Sequence, residues 1–293
     1  MTLKNVKKLE IEIQSKCNRK CLWCPNHSID RFTEAFQMPE ETYLKVLNDL
    51  KDNNFAENYN WGIVSYSRYN EPMLNIDLLK KRVNQAREIL PTARLVSNTN
   101  GDYITAQNLD GLNLHDLSIM DYDCHGEEYW VKKLKDAGVK IRSRDDRNII
   151  GKHHSIDNIL VMLDWPLNNE LEDRGGYLKD DIYFKGQMVK WKKDKIIRTK
   201  PCLEPTVFLA LDYNGNLMPC CHYRSDIPMH KDMILGNVND TPINEIYHSK
   251  KATEFRELME RGDHENYPET CRNCHKAAGR YTRVNPSIMP NTK

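Results

Sequence analysis

Three cysteines near the N-terminus have a spacing that suits an iron–sulfur site. Cys17, Cys21 and Cys24 are separated by three and then two residues. They directly follow an alternating apolar and polar stretch at residues 8–14, which predicts a first β-strand. Cysteine thiolates are the usual ligands of cubane clusters, and a closed cubane takes four of them. Three thiolates on this loop can therefore bind three irons and leave the fourth iron open to a substrate or cofactor.

The same cysteines are also compatible with zinc. Structural Zn²⁺ is normally held by four nitrogen or sulfur donors, and His27 is the nearest additional donor to this group. A zinc site with His27 as its fourth ligand is therefore the alternative interpretation. It would make the chain a non-catalytic binding module in which metal sites act as structural staples.

The composition is that of an ordinary globular protein. The chain has 293 residues, of which 39% are hydrophobic and 29% charged. Its formal net charge of +1 argues against a general affinity for nucleic acids or anionic membranes. Neither a signal peptide nor an apolar run of membrane-spanning length is present. We therefore expect a cytoplasmic protein without a nucleic-acid or membrane partner, whose nine cysteines are metal ligands or reactive thiols.

Short apolar stretches alternate with longer amphipathic ones from residue 8 to about residue 165. Strands are predicted at 8–14, 61–66, 94–97, 116–120, 139–143 and 158–164. Helices are predicted after Pro39 and at 76–89, 104–112 and 127–137. This alternation is typical of a parallel sheet with helical crossovers. On its own it permits either a partial barrel or an open doubly wound sheet.

The pattern changes after about residue 170. Strands are predicted at 206–212 and 216–218, with a tight hairpin at Asn214-Gly215 between them. A helix is predicted at 243–261, with Pro242 suited to its first turn.

The hairpin is expected to bring two further cysteines together. Cys202 and Cys220 flank it, while Cys271 and Cys274 form a short C-x2-C knuckle after the predicted helix. Four thiolates would close the shell of an auxiliary [4Fe–4S] cluster. A zinc ribbon with the same four ligands is the alternative.

Both cysteine sets resemble those of a known superfamily. The C-x3-C-x2-C spacing, with Trp23 before the third cysteine, resembles the radical S-adenosylmethionine (SAM) enzymes. In these enzymes the open iron chelates SAM, and an electron from the cluster cleaves it to a 5′-deoxyadenosyl radical. The resemblance implies SAM and a three-cysteine [4Fe–4S] cluster as cofactors, and a flavodoxin- or ferredoxin-type electron donor.

The second set, C-x12-G-x4-C followed by C-x2-C, resembles the Twitch domain, a shortened SPASM domain. The fold implied is α/β, with a partial (β/α)6 radical SAM barrel at residues 1–185. A small α+β Twitch domain, containing a β-hairpin and a helix, would follow at residues 186–293. It would carry one auxiliary [4Fe–4S] cluster.

The resemblance also implies SAM-binding residues after the second predicted strand. Asn70, Glu71 and Pro72 align with a Gly-Gly-Glu-Pro-type motif whose backbone and acidic residue meet the ammonium of SAM. Tyr69-Asn70 departs from the paired glycines, although Asn tolerates unusual φ values.

Further SAM contacts are implied at the carboxyl ends of the next strands, the edge where ligands bind in parallel α/β sheets. Ser97 and Asn98 end the third predicted strand, and Ser118 lies on the fourth. By resemblance such polar residues contact the ribose and carboxylate of SAM. Trp23 is a further candidate for cofactor binding.

Within the superfamily, the chain most resembles aminocyclitol (2-deoxy-scyllo-inosamine) dehydrogenase-like members over nearly its full length. The shared features include Arg174-Gly175-Gly176 and the hairpin motif Gly-Asn-Leu-Met-Pro-Cys. In that family the arginine before the paired glycines lies beside the substrate alcohol. Because a guanidinium is a poor base, Arg174 is expected to stabilise a ketyl oxygen. A salt-bridged surface arginine is the alternative.

Two cysteines remain outside the cluster sets. Cys221 adjoins Cys220, where the dehydrogenase pattern has a different residue. Since radical SAM epimerases return a hydrogen atom from a cysteine thiol, Cys221 is a second candidate catalytic residue. Packing against the cluster is its alternative role. Cys124, after the fourth predicted strand, is a further candidate whose default role is that of a small buried residue.

These observations together predict a radical SAM enzyme with two [4Fe–4S] clusters. It would abstract hydrogen from a hydroxyl- or amine-bearing carbon of a sugar or aminocyclitol, leading to oxidation or epimerisation. The enzymatic alternative is a ribosomal-peptide maturase, which would epimerise or cross-link a peptide substrate with Cys221 as hydrogen donor. A zinc-binding module is the non-enzymatic alternative.

Overall fold

A ten-stranded mixed sheet organises the chain. The structure is a computed structural model that describes residues 2–169, 181–189, 201–272 and 274. Its strands are β1 (Lys8–Ile11), β2 (Ile63–Ser65), β3 (Arg94–Thr99), β4 (Leu114–Met120), β5 (Lys140–Arg144), β6 (Asn148–His153), β7 (Ile156–Met162), β8 (Tyr183–Phe184), β9 (Gln187–Met188), β10 (Phe208–Leu211), β11 (Asn216–Met218) and β12 (Gly236–Asn237). The large sheet has the order β12-β11-β10-β1-β2-β3-β4-β7-β6-β5, and β8 and β9 form a separate pair.

Six neighbouring strands, β10-β1-β2-β3-β4-β7, run parallel to one another. This confirms the predicted parallel α/β sheet, although the sixth strand comes from the C-terminal half of the chain. The strand predicted at 139–143 exists as β5, but its expected parallel direction is wrong, because β5 pairs antiparallel with β6.

The reason for the antiparallel hairpin is local. The Asp145 carboxylate accepts hydrogen bonds from the backbone N–H groups of Arg147 and Asn148, at 2.8 and 2.7 Å. These bonds stabilise a tight turn between β5 and β6. Moreover, β5 is mostly exposed, as suits an edge strand.

The helices largely follow the predicted periodicity. They are α1 (Glu40–Asp52), α2 (Ile76–Ile89), α3 (Ala106–Leu109), α4 (Glu127–Asp136), α5 (Trp165–Asn168), α6 (Glu204–Val207), α7 (Ile243–Tyr247), α8 (Lys250–Arg261) and α9 (Glu269–Arg272). The helix predicted at 104–112 is the single turn α3. The helix predicted at 243–261 is broken into α7 and α8, because Ser249 accepts a hydrogen bond from the Ala252 N–H at 3.3 Å and starts a new helix as its N-cap.

The two faces of the parallel strands differ in polarity. Along β1, Leu9 and Ile11 are fully buried in the main hydrophobic core, whereas Lys8 and Glu10 are only partly buried on the other face. Successive side chains of a strand point to opposite faces, so the apolar residues pack against the core and the polar ones face the opposite side. No helix in the described residues has the length and apolarity needed to cross a membrane.

The sheet is continuous across the predicted domain boundary at residue 185/186. Strand β10 pairs parallel with β1 on one side and antiparallel with β11 on the other. The division into 1–185 and 186–293 stays a prediction.

Candidate active site

One cavity of about 570 Å³ lies where the parallel strands end. Its walls come from the loops after β1, β2, β3, β4 and β7, together with the hairpin region after β11. All three cysteines of the N-terminal motif line this cavity. The structure therefore brings the three cysteines together at the carboxyl edge of the sheet, the location that the sequence predicts.

The loop that carries the three cysteines is clamped to the ends of β3 and β4. Arg19 donates from Nε to Asp102 at 2.7 Å, and its Nη2 lies 2.6 Å from Asp123. Asn18 adds a 2.6 Å hydrogen bond to the same Asp102 carboxylate. These contacts fix the loop between the cysteines without using the cysteine side chains.

Burial controls the protonation of these cysteines. Desolvation raises the pKa of both Cys17 and Cys21 to about 12. Since thiolate, not thiol, is the metal ligand, binding iron here must release protons. Among the described residues, no three His, Cys, Asp or Glu side chains converge as a site for one metal ion. A cubane does not require such convergence, because each thiolate binds a different iron.

Trp23 forms one side of the cavity within an aromatic cluster. It is 5% exposed, and its ring centroid lies 5.7 Å from Tyr122, 6.5 Å from Trp165 and 5.3 Å from Phe184. Its indole Nε1 is buried without a hydrogen-bond partner in the described residues. The cluster thus combines an apolar wall with one unused donor.

The segment after β2 supplies a further hydrogen-bond donor and a carboxylate that holds this segment in place. Asn70 lines the cavity, and its Nδ2 is buried without a partner among the described residues. The Glu71 carboxylate accepts hydrogen bonds from Thr99 Oγ1 at 2.7 Å and from the N–H groups of Met73 and Asn100 at 3.0 and 2.8 Å. Desolvation raises the pKa of Glu71 to about 7, and these hydrogen bonds oppose the shift. Glu71 therefore braces the cavity edge, and Pro72 begins the short 3-10 turn beside it.

The polar residues near the ends of β3 and β4 differ in whether they line the cavity. Asn98 lines the cavity, whereas Ser97 is 2% exposed and pairs with Leu117 of β4 on the core face. Ser118 lies opposite Asn98 on the neighbouring strand but is not among the residues that line the cavity. The structure therefore brings Asn98 to the cavity and leaves Ser97 and Ser118 outside its lining.

The second set of cysteines lines a separate, smaller pocket. Cys202, Cys220, Cys271 and Cys274 all contribute to it. The Tyr223 hydroxyl lies 3.0 Å from the Cys271 Sγ. The surroundings are apolar; buried around the pocket are Phe208, Ala210, Met218, Met259 and Tyr267. Burial raises the pKa of Cys220 well above its ordinary value, so metal binding at this sulfur would release the thiol proton.

Adjacent cysteines face the two cavities. Cys220 lines the smaller pocket, while Cys221 lines the larger cavity. The backbone carbonyl of Cys221 accepts a 2.8 Å hydrogen bond from the Tyr69 hydroxyl, which fixes this step against the loop after β2. One peptide unit, about 3.8 Å from Cα to Cα, therefore connects the two sites.

Most residues of the cavity wall nearest the β10–β11 hairpin were not predicted from the sequence. This hairpin wall consists of Lys8, Glu10, Arg68, Phe208 and Cys221, of which only Cys221 was predicted. Lys8 lies 3.0 Å from Glu10 and 5.3 Å from the Phe208 ring centroid. The alternation of polar Lys8 and Glu10 with apolar Leu9 was a signal that the polar face of β1 lines a site.

Two predicted residues are not part of the described cavity. Arg174 lies outside the described residues. Cys124 is not among the lining residues; it adopts a positive φ of 51°, and burial raises its pKa to about 12.

The donor set fits an acceptor-rich ligand such as SAM. Four buried donors around the larger cavity lack partners among the described residues: Trp23 Nε1, Asn70 Nδ2, and Nε and Nη1 of Arg68. A buried donor left unpaired costs about 1–3 kcal/mol. A ligand rich in carboxylate, hydroxyl and ring-nitrogen acceptors can relieve that cost.

Comparisons with known proteins match both parts of the chain. Residues 202–275 match SPASM, an iron-sulfur cluster-binding domain. The S-adenosyl-L-methionine-dependent 2-deoxy-scyllo-inosamine dehydrogenase of Niallia circulans is 28% identical over 272 residues, which cover 92% of this chain and 93% of the relative.

Solved structures show the same fold. BtrN in complex with AdoMet and 2-DOIA has a TM-score of 0.65 at 23% identity, covering 93% of this chain and 94% of that one. Native anSMEcpe with bound AdoMet has a TM-score of 0.52 at 16% identity, with 92% of each chain covered. Together with the two sets of cysteines, these findings support a radical SAM enzyme that carries a C-terminal SPASM-type iron–sulfur domain.

Proposed function

We propose that the chain is a radical SAM oxidoreductase that oxidises a hydroxyl-bearing carbon of an aminocyclitol or related sugar. The observation that carries the proposal is the Cys220–Cys221 step, which places the four-cysteine pocket directly behind a wall of the cavity that holds the three-cysteine motif. A dehydrogenase of this kind needs both a hydrogen-abstracting site and a nearby acceptor for the second electron. The relative from Niallia circulans, an aminocyclitol dehydrogenase by name, supports the substrate class.

The cofactors would be held by residues already described. Cys17, Cys21 and Cys24 would bind the first cluster, and the four cysteines of the smaller pocket would bind the auxiliary one. When bound, the first cluster together with SAM would supply a 5′-deoxyadenosyl radical to take a hydrogen atom. The auxiliary cluster would accept the remaining electron, and the hydroxyl proton would be released to water.

The protein's own side chains would bind SAM, position the loop after β2 and exclude water. Trp23 and Asn70, with unused buried donors, and Asn98, which lines the cavity, are the proposed SAM contacts. Glu71 would hold the loop after β2 against the end of β3 through its three hydrogen bonds. The aromatic cluster around Trp23 would exclude water from the cavity, which protects a reactive intermediate.

The remaining predicted roles stand as proposals. Arg174 would stabilise the substrate oxygen, and a flavodoxin- or ferredoxin-type protein would deliver the electron that starts the reaction. Such a donor and oxygen-sensitive clusters suit the reducing environment of the cytoplasm.

The test is anaerobic reconstitution followed by turnover. We expect about eight irons per chain and, with SAM, dithionite and 2-deoxy-scyllo-inosamine, formation of 5′-deoxyadenosine and a product lighter by two hydrogens. The matched control replaces Cys17, Cys21 and Cys24 together by alanine, which should keep about four irons and form no 5′-deoxyadenosine. Bound zinc without iron would reject the proposal in favour of a structural metal protein.

Epimerisation is a second candidate, because Cys221 lines the cavity beside the three-cysteine motif. A thiol there could return a hydrogen atom to the opposite face of a substrate radical. The thiyl radical left on Cys221 would then be restored to a thiol by a solvent proton and an electron from the flavodoxin- or ferredoxin-type donor. Turnover in deuterium oxide would then place one deuterium in a product of otherwise unchanged composition. Cys221→Ala should abolish that incorporation while 5′-deoxyadenosine still forms; if deuterium incorporation survives the substitution, Cys221 is not the donor.

A further inference from the structure

Arg68 has an unusual environment on the hairpin wall. Its Nη2 donates a 2.7 Å hydrogen bond to the backbone carbonyl of Tyr223. Its Nε and Nη1 are buried and have no hydrogen-bond partner in the part of the chain that is described. Because Arg68 also lines the larger cavity, a ligand bound there could supply the missing acceptor after a small shift of the guanidinium.

The charge of Arg68 is stabilised by carboxylates at a distance and not by a direct ion pair. Lys8 is paired with Glu10 at 3.0 Å, and the nearby Glu12 carboxylate is already engaged by Arg31 at 3.3 Å. Within the described residues, Arg68 forms no ion pair. Burial alone would lower the pKa of Arg68, but the fields of Glu12 and Glu10 outweigh it and raise the pKa. The guanidinium therefore stays charged and is available to a polar ligand.

The position of Arg68 favours the substrate over SAM as that ligand. The three-cysteine motif and Trp23 lie with Tyr122 and Trp165 on one side of the cavity. Arg68 instead contacts Tyr223, two residues after Cys221, on the side formed by the hairpin. Under the proposed function the substrate would lie between the radical source and the auxiliary pocket, and the hairpin wall is next to that pocket.

Resting on the proposed function, we propose that Arg68 binds the substrate, donating from Nε and Nη1 to the oxygen of the carbon that is oxidised, a contact additional to the role proposed for Arg174. A planar guanidinium presents these two donors in a fixed fork, which suits an oxygen that gains negative charge during oxidation. Arg68 binds this oxygen and transfers no proton, because its pKa is too high for a base.

The test compares two probes on reconstituted enzyme with SAM and without reductant, so that binding is measured and no turnover occurs. The probes are 2-deoxy-scyllo-inosamine and its analogue in which the oxidised hydroxyl is replaced by hydrogen. Hydrogen bonds to charged groups contribute enough for the wild type to prefer the hydroxyl probe by about tenfold to a hundredfold in calorimetric titration. Arg68→Gln should reduce this preference to below about threefold, and Arg68→Lys should restore part of it.

Arg82→Gln is the matched control. Arg82 is also a buried arginine with an unpartnered Nε, but it is not among the residues that line the cavity. This variant should keep the wild-type preference, which separates substrate binding from a general loss of stability. The affinity for SAM should be unchanged in Arg68→Gln; a selective loss of SAM affinity would overturn the assignment to the substrate.

The remaining outcomes distinguish the two proposals. If Arg68→Gln keeps the full preference for the hydroxyl probe, the Arg68 proposal is wrong and the proposed function stands. If wild-type enzyme binds neither probe, the aminocyclitol substrate class is wrong, and the assignment of Arg68 to its oxygen falls with it.

Discussion

At the scale of single residues, Cys220 and Cys221 show how one peptide step separates two chemical environments. Cys220 faces the apolar pocket shared with Cys202, Cys271 and Cys274, whereas Cys221 faces the larger cavity. Cys220→Ala should therefore lose the auxiliary cluster and retain about four irons per chain, while Cys221→Ala should retain about eight. Iron and sulfide analysis after anaerobic reconstitution measures the difference. Equal iron content in the two variants would contradict the assignment of the adjacent cysteines.

A buried histidine near the second pocket makes stability depend on pH. His230 is fully buried, and its Nδ1 accepts a 3.1 Å hydrogen bond from the Arg224 N–H. Desolvation, and then the charge of Arg224, lower the pKa of His230 to about 4. The unfolded chain binds this proton below about pH 6.5, but the folded protein does not until about pH 4. The stabilisation is therefore complete above pH 6.5 and is lost as the pH falls toward 4.

This difference predicts a measurable slope. Between pH 7 and pH 5, the free energy of unfolding should fall by about 2 kcal/mol on account of His230 alone. His230→Gln should lower stability at pH 7 but reduce the loss between the two pH values by that amount. Urea unfolding of both proteins in the same cluster state provides the measurement. Parallel pH profiles for the two proteins would show that His230 is not held neutral.

How far the site could be predicted depends on the distance in sequence between its parts. The cysteine motifs contain short patterns of fixed spacing, so both sets could be proposed from the sequence through their resemblance to a known superfamily. Arg68 was missed as a site residue because its neighbours on the hairpin wall, Phe208 and Cys221, are distant in the chain. Ser97 was chosen with Asn98 because both are polar residues at the end of the third predicted strand, and that reasoning did not separate the two faces of β3.

At the scale of elements, the β10–β11 turn depends on one glycine. Gly215 has φ of +85°, and a Cβ there would lie 2.8 Å from Asn239 Nδ2 and 3.0 Å from Asn237 Oδ1. Both asparagines are fixed by 3.0 Å hydrogen bonds from their Nδ2 atoms to the Asn214 carbonyl. The turn therefore requires glycine both for its conformation and for space.

Gly215→Ala should lower the free energy of unfolding by about 2–3 kcal/mol, since the left-handed conformation alone costs about 1–2 kcal/mol. Gly111→Ala is the matched control: Gly111 has φ of +66° but nothing within 4 Å of the added Cβ. Its cost should be limited to the conformational part. Urea unfolding of both variants gives the comparison, and equal losses would show that crowding at the hairpin contributes nothing.

The strand directions illustrate why elements were easier to predict than their pairing. Residues 139–143 have an apolar pattern, but the short turn at Asp145 makes them half of an antiparallel hairpin. Strand β1, in contrast, pairs in parallel with β10. Local sequence predicts that a strand forms, while its partner can be the next strand, as for β5, or lie about 200 residues away, as for β1.

At the scale of the whole molecule, a buried ionic network joins the N-terminal cluster loop to the segment after Cys221. Asp226 lies 2.8 Å from Arg31 and 2.6 Å from Arg224. Arg224 also donates to Asn26 at 2.9 Å. Burial would raise the pKa of Asp226, but its hydrogen bonds and ion pairs with the two arginines outweigh this and lower it. The network therefore depends on an ionised Asp226.

Asp226→Asn should lower the free energy of unfolding by about 3 kcal/mol, because it leaves two buried guanidinium groups without full compensation. The control is Asp136→Asn, which removes an exposed pair with Lys132 and should cost under about 0.5 kcal/mol. Urea denaturation of both variants tests the contrast. A cost for Asp226→Asn as small as that of the control would mean that the network does not stabilise the molecule.

The position of β10 beside β1 has a consequence for biosynthesis. The ribosome completes β1 about 200 residues before β10, which corresponds to roughly 10–40 s at typical bacterial or eukaryotic synthesis rates. Throughout that interval β1 has a free edge able to pair with another nascent chain. The N-terminal cysteines therefore emerge long before β10 completes the parallel part of the sheet, and we expect cluster insertion to follow the end of translation.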